Sequence, residues 1–239
     1  MGKRKTAAGK SVRQFMPSEQ VTMLFDELGS LGFNGYITFH QLSEAFLDKR
    51  LIVFARDAKS RGMKPYVHTN GDALRNSEAL CKEAAEVFEY IVVGLYDYQT
   101  EEEKQREKRF WKERLKGTQV MFSLAEKIYV RTHSPRNSRM EAIGRRSHAD
   151  AVCAQPLTYL LIHYNGDVAC CCEDMYGELL RMNIFETSIR EVWYSERHAH
   201  LIKALQAGNR KQFALCTKCT MGPSHYSSDP LRDTQHLDK

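Results

Sequence analysis

Apolar positions in the first half of the chain alternate between helical spacing and short continuous runs. After Pro17-Ser18-Glu19, a helix-start signal, Val21, Leu24, Phe25, Leu28 and Leu31 fall on one helical face, closed by Gly29 and Gly32. Tyr36-Ile-Thr-Phe39 predicts a short strand, followed by a loop from His40 to Phe46. Leu51, Ile52, Phe54, Ala55 and Ala58 share one face of a second helix that ends near Arg61-Gly62. Lys64 to Thr69 reads as a second strand, turned by Asn70-Gly71-Asp72 into a third helix over 77–88. Tyr90 to Leu95 is almost wholly apolar, which predicts a strand buried on both faces. Glu101 to Lys116 interleaves acids and bases, as on a solvated helix anchored by Phe110, Trp111 and Leu115. Gln119 to Ser123 predicts a further strand. Such alternation implies a parallel sheet with right-handed crossovers, an α/β architecture.

The pattern then changes. Residues 1–15 lack apolar periodicity and read as a loop or tail. Residues 131–150 carry Arg131, Arg136, Arg139, Arg145 and Arg146 among Ser, Asn, Gly and Pro, and read as a linker closing a first domain over 1–150. A second unit, 151–223, is expected to open with a hairpin from Leu157 to Cys172, turned at Asn165-Gly166. Helices are predicted over Ser188–Trp193 and Ser195–Ala207, the latter stopped by Gly208, ahead of a polar tail over 224–239.

Composition narrows the class. The chain's 239 residues are 42% hydrophobic and 27% charged, which is ordinary for a globular protein. A net charge of +5 permits an anionic partner without calling for nucleic acid, and no aromatic-plus-basic stripe accompanies it. No run of about 18 apolar residues predicts a membrane span, and no apolar stretch follows the basic start as in a secretory signal. The expected location is the cytoplasm, where seven cysteines read as thiols or metal ligands rather than disulfides.

Six of those cysteines lie between Cys153 and Cys219, and the last two form Cys216-Thr217-Lys218-Cys219. Cys153, one member of the triplet at 170–172, Cys216 and Cys219 make a four-thiolate set, the donor set of both zinc and iron–sulfur centres. Alternation on a strand places Cys170 and Cys172 on one face and Cys171 on the other, so a single member faces a centre. Alternation does not select the face, and spacing does not separate zinc from a cluster. Cys81, beside Leu80 and Ala84, reads as a core residue.

These residues resemble a known family. Cys153-x-x-Pro156, Asn165-Gly166-Asp167-Val168, Cys171-Cys172-x-Asp174, Glu191-Val192-Trp193 and Cys216-x-x-Cys219 resemble the auxiliary-cluster module, SPASM or its single-cluster Twitch form, of radical S-adenosylmethionine (SAM) enzymes. The resemblance makes Cys171 the triplet's ligand. With gaps of 18, 45 and 3 residues, it implies one auxiliary [4Fe–4S] cluster on Cys153, Cys171, Cys216 and Cys219. Ser43-Glu44-Ala45 stands where the family carries a Gly-Glu-Pro-like loop, and Thr69-Asn70-Gly71 follows the next strand. The resemblance thus makes Ser43, Glu44 and Asn70 contacts to SAM, with His40 and His68 at neighbouring strand ends. The implied fold is a partial parallel α/β barrel lacking its first strand, followed by a small cluster-binding domain of a β-hairpin plus helices.

One departure bears on activity. The family's Cys-x-x-x-Cys-x-x-Cys motif, which holds the SAM-cleaving cluster, is absent. The expectation is an N-terminally truncated form, inactive alone, of an enzyme that cleaves SAM reductively to a 5′-deoxyadenosyl radical. The alternatives are a non-catalytic binding or partner subunit and a zinc-binding module. Peptide or small-molecule modification is the implied chemistry, with a reductant protein as a further partner. The residues name no substrate.

Overall fold

The computed structural model describes residues 2–5, 11–40, 43–124, 148–219 and 221–224. Two compact units are present. Strands β1 (Gly2–Lys5) and β2 (Ser11–Gln14) pair antiparallel near the start, where a loop is expected from the sequence. A two-stranded ladder is made by backbone hydrogen bonds and leaves no apolar pattern to read.

The first unit is built on α1 (Ser18–Ser30), β3 (Tyr36–Thr38), α2 (Leu51–Ser60), β4 (Lys64–Thr69), α3 (Asp72–Arg75), α4 (Glu78–Val87), β5 (Tyr90–Leu95), α5 (Glu101–Arg114) and β6 (Gln119–Leu124). Strands β3-β4-β5-β6 form one sheet in chain order, every pair parallel, as the alternation predicts. The third helix begins with the separate short turn α3 before α4, because Ser77 caps α4 afresh by accepting from Leu80 N–H at 3.2 Å.

Strand alternation sorts the sheet's two faces. Val67, Ile91, Val93, Leu95 and Phe122 join Ile52, Ala55, Cys81, Ala84, Val87 and Trp111 in one core against the helices. Burying one such large apolar side chain contributes about 1.5–3 kcal/mol before entropy is counted. The opposite face carries Tyr36, Tyr66, Tyr90, Val92 and Met121, with Tyr66 and Tyr90 stacked at 4.6 Å. Helix α5 starts at a capping box, Thr100 with Glu103. It is not purely solvated, however: Lys104 and Glu107 are buried beside Trp111. Glu107 is neutralised by Arg75, whose guanidinium also lies over the Phe110 ring at 4.6 Å and the Trp111 ring at 5.1 Å.

The second unit has little regular structure. It contains α6 (Gln155–Thr158), β7 (Leu161–Ile162), β8 (Val168–Ala169), α7 (Ile189–Trp193), α8 (Glu196–Gln206) and α9 (Ala214–Thr217). The expected hairpin is therefore shorter. Pro156 sits in the first turn of α6, a position where a missing N–H costs nothing. The hairpin turn at Asn165-Gly166 is present, and Ile184 N–H donates to the Gly166 carbonyl at 2.9 Å. Ser188 and Ser195 cap α7 and α8 as the sequence predicts. Val168, Cys170, Leu180, Val192, Leu201, Leu205 and Cys216 make the core. The expected linker lies outside the described residues apart from 148–150, as does the expected tail apart from Ser224. Among the described residues no helix is long and apolar enough to cross a membrane.

Candidate functional site

The first candidate site lies at the carboxyl ends of β3 and β4. Glu44 ties the loop after β3 to the end of β4. Its carboxylate accepts from Thr69 Oγ1 at 2.7 Å, from Asn70 N–H at 2.7 Å and from Phe46 N–H at 3.1 Å. Much of Glu44's bonding capacity thus goes into positioning Thr69 and Asn70. The Asn70 amide in turn donates to Asp72 at 2.8 Å, and its oxygen accepts from Asp72 N–H at 3.1 Å. Gly71 packs on Trp111, so α5 supports this loop from beneath. Ser43 is half-buried beside Glu44, whereas Asn70 is exposed. Alongside, the His40 and His68 rings stack at 4.5 Å, and Thr38 Oγ1 hydrogen-bonds His40 Nδ1 at 2.8 Å. Burial holds His68 down to about 4, so it is neutral near pH 7.

The second candidate site is the cysteine set. All seven cysteines are free thiols. Cys153 is placed by its N–H, which donates to the Leu205 carbonyl of α8 at 2.9 Å. Cys216 sits in α9, and Cys219 N–H donates back to its carbonyl at 3.2 Å, closing the CxxC turn. The structure brings Cys153, Cys216 and Cys219 within electrostatic reach of one another. Burial, then the neighbouring Cys219 and Cys153, push the Cys216 thiol up to about 12. Burial likewise raises Cys219.

The triplet is arranged differently from the strand reading. Strand β8 ends at Ala169, and Cys170 to Cys172 bend away in a turn. Asp174 organises this turn. Its N–H donates to the Cys171 carbonyl at 3.1 Å, and its carboxylate accepts from Glu178 N–H at 2.7 Å and Leu179 N–H at 3.3 Å. Simple alternation therefore does not apply here. Cys170 is fully buried and couples to Asp174 and Cys216, whereas Cys171 couples to Cys172 and Asp174. Burial raises both thiols. Three of the four expected ligands are thus brought together, and the triplet member against Cys216 is Cys170.

Arg210, which sequence reasoning missed, borders the three grouped thiols. It is 1% exposed, and its guanidinium donates to the carbonyls of Met221 (2.6 Å), Val152 (2.8 Å) and Gly222 (2.9 Å). Its Nε–H is buried without a partner among the described residues. His198, fully buried, bridges the Trp193 carbonyl (2.8 Å) and the Pro156 carbonyl (2.9 Å), joining the Cys153-x-x-Pro156 segment to α7. No sequence signal marks either residue, since each ties in a segment far back in the chain, Pro156 for His198 and Val152 for Arg210.

Buried thiols beside a buried cation suit a thiolate-bound, net-negative centre, because a metal draws the protons off coordinating thiols. Among the described residues, no three His, Cys, Asp or Glu side chains stand close enough to share one metal ion.

Comparison with known proteins agrees with this chemistry. Residues 153–220 match the family model of SPASM, an iron–sulfur cluster-binding domain. A curated relative, the S-adenosyl-L-methionine-dependent 2-deoxy-scyllo-inosamine dehydrogenase of Niallia circulans, is 26% identical over 213 residues, covering 82% of this chain and 77% of that protein. The fold matches the structure of BtrN in complex with AdoMet and 2-DOIA, with a TM-score of 0.70 and 22% identity over 88% of this chain and 81% of that one. It also matches an open conformation of BtrN, with a TM-score of 0.64 and 23% identity over 85% of this chain and 79% of that one. Residues 153–220 thus match a SPASM iron–sulfur cluster-binding domain, as the motifs suggest, and the chain as a whole is similar in sequence to an S-adenosyl-L-methionine-dependent dehydrogenase and in fold to BtrN.

Proposed function

We propose that this chain holds one auxiliary [4Fe–4S] cluster on Cys153, Cys171, Cys216 and Cys219, and that its other unit is a partial α/β barrel that binds SAM and substrate. The observation that carries the cluster is the grouping of Cys153, Cys216 and Cys219 with the buried Arg210, which pairs with no carboxylate among the described residues. The resemblance to the SPASM pattern implies Cys171 as the fourth ligand. When bound, such a cluster supplies one-electron transfer. The protein's share is to exclude water from the thiols and to fix their backbone through the Leu205 carbonyl, the Asp174 turn and Arg210.

At the barrel end, Glu44 buttresses Asn70, and we assign Ser43, Glu44 and Asn70 to the amino-acid end of SAM. The 239 residues contain no Cys-x-x-x-Cys-x-x-Cys. This chain alone is therefore expected to release no 5′-deoxyadenosine from SAM and dithionite. The name of the 26% identical relative supports a polyhydroxylated ring alcohol as the substrate class. The neutral His68 and its partner His40 offer hydrogen bonds to ring hydroxyls from the same strand ends.

Anaerobic reconstitution with iron and sulfide, followed by iron and sulfide counting and a visible spectrum, tests the cluster. Four irons per chain are expected by the proposal, falling sharply in Cys171→Ser but not in Cys170→Ser. Loss on Cys170→Ser alone reverses the assignment within the triplet. A colourless protein carrying one zinc ends the iron–sulfur reading.

A further inference from the structure

Arg210 is held by three carbonyl groups and by no carboxylate among the described residues. Carbonyls carry only partial charge, and a guanidinium keeps its full charge in a folded protein. An unpaired buried charge is strongly disfavoured, so its compensation must lie close by. Asp174 and Glu173 are buried beside Cys216 and Cys219, but neither reaches ion-pair distance of Arg210. What Arg210 does border is the thiol set. Val152 precedes Cys153, and Met221 and Gly222 follow Cys219. The guanidinium therefore pins the chain on both sides of the ligands. Its Nε–H is the buried donor left over.

We propose that Arg210 is the built-in counter-cation of the auxiliary cluster, setting its reduction potential upward as well as holding its ligand loops. Net charge and hydrogen bonding around the sulfurs are established levers on such potentials. One-electron reduction adds one negative charge, and a fixed positive charge at the wall favours the reduced form. The inference rests on the cluster reading above. The electron donor in the test is dithionite.

The whole chain is reconstituted anaerobically as wild type, Arg210→Lys and Arg210→Gln, and each is titrated with dithionite under EPR detection. Iron content and far-UV circular dichroism are read on the same samples. In Arg210→Gln, the reduced-to-oxidised ratio at a fixed potential is expected to fall about tenfold, equivalent to about 59 mV for one electron. Arg210→Lys, which keeps the charge, is expected to stay nearer the wild type. A purely structural arginine changes cluster content or folding but leaves the potential in place, so a ratio within twofold of wild type in Arg210→Gln overturns the inference. Should Arg210→Gln lose its cluster, retention by Arg210→Lys supports the role of charge. Loss from both variants with an unchanged dichroism spectrum refutes it in favour of the planar fork. Failure of the wild type to take up iron and sulfide, visible before any variant is compared, overturns the cluster reading itself and this inference with it.

Discussion

Gly71 and Gly62 form a matched pair that isolates one contact at the loop after β4. Both adopt left-handed backbone, with φ of +84° and +83°. An ideal Cβ at Gly62 meets nothing within 4 Å, whereas at Gly71 it lies 2.6 Å from Trp111 Cζ2 and 3.0 Å from Cη2. Replacing either with alanine incurs the left-handed penalty of about 1–2 kcal/mol. Gly71→Ala adds overpacking against a ring that cannot yield, because Trp111 is 1% exposed and packed between Phe110 and Arg75. Overpacking of a tight core costs about 1–3 kcal/mol. Gly71→Ala should therefore lose about 2–5 kcal/mol and Gly62→Ala about 1–2 kcal/mol. Urea unfolding at an unchanged m-value measures both. Trp111→Phe removes the Cζ2 and Cη2 atoms and should recover most of the difference as a coupling energy in a double-mutant cycle. Equal destabilisation of the two glycine variants, or no coupling to Trp111, refutes the claim that α5 supports the loop through this contact.

Three further outcomes follow from bonds at the two sites. Glu44→Ala removes the acceptor of Thr69 Oγ1 and Asn70 N–H, at about 0.5–1.5 kcal/mol for each bond, and should speed hydrogen exchange at the Asn70 amide. His198→Ala removes the ring that joins the Pro156 and Trp193 carbonyls, at about 1–3 kcal/mol for a buried group left without its partner, and should lower the thermal midpoint of the second unit far more than His200→Ala. Glu191 is held down to about 2 by the Ser188 N–H, helped by the Thr187 and Ser188 hydroxyls. Its folded value is depressed, so its contribution is complete above the ordinary 4.5 and disappears as pH falls through about 2. Glu191→Gln should flatten the acid limb of a stability-versus-pH curve over that window.

Elements whose cause is local were legible in the sequence. Tyr90–Leu95 announces itself because every residue is buried, and Ser188 and Ser195 mark their helices by side-chain capping. What escaped has distant causes. Glu107 looks like a solvent-facing residue until Arg75, 32 positions away, pairs with it. The cysteine triplet looks like strand until Asp174 gathers the backbone N–H groups of its turn. Arg210 carries no motif, because its partner Val152 lies 58 residues back. The grouping of Cys153, Cys216 and Cys219 was thus readable from spacing, while their surroundings and the arrangement of the triplet were not.

The chain's two tryptophans fall one to each unit: Trp111 beneath the β4 loop, and Trp193 against His198 with ring centres 4.9 Å apart. Each unit therefore carries its own optical reporter. Trp111→Phe and Trp193→Phe turn one mixed emission signal into two separate ones. If the two denaturation curves part company, the units melt independently, and no single free energy of unfolding describes the molecule.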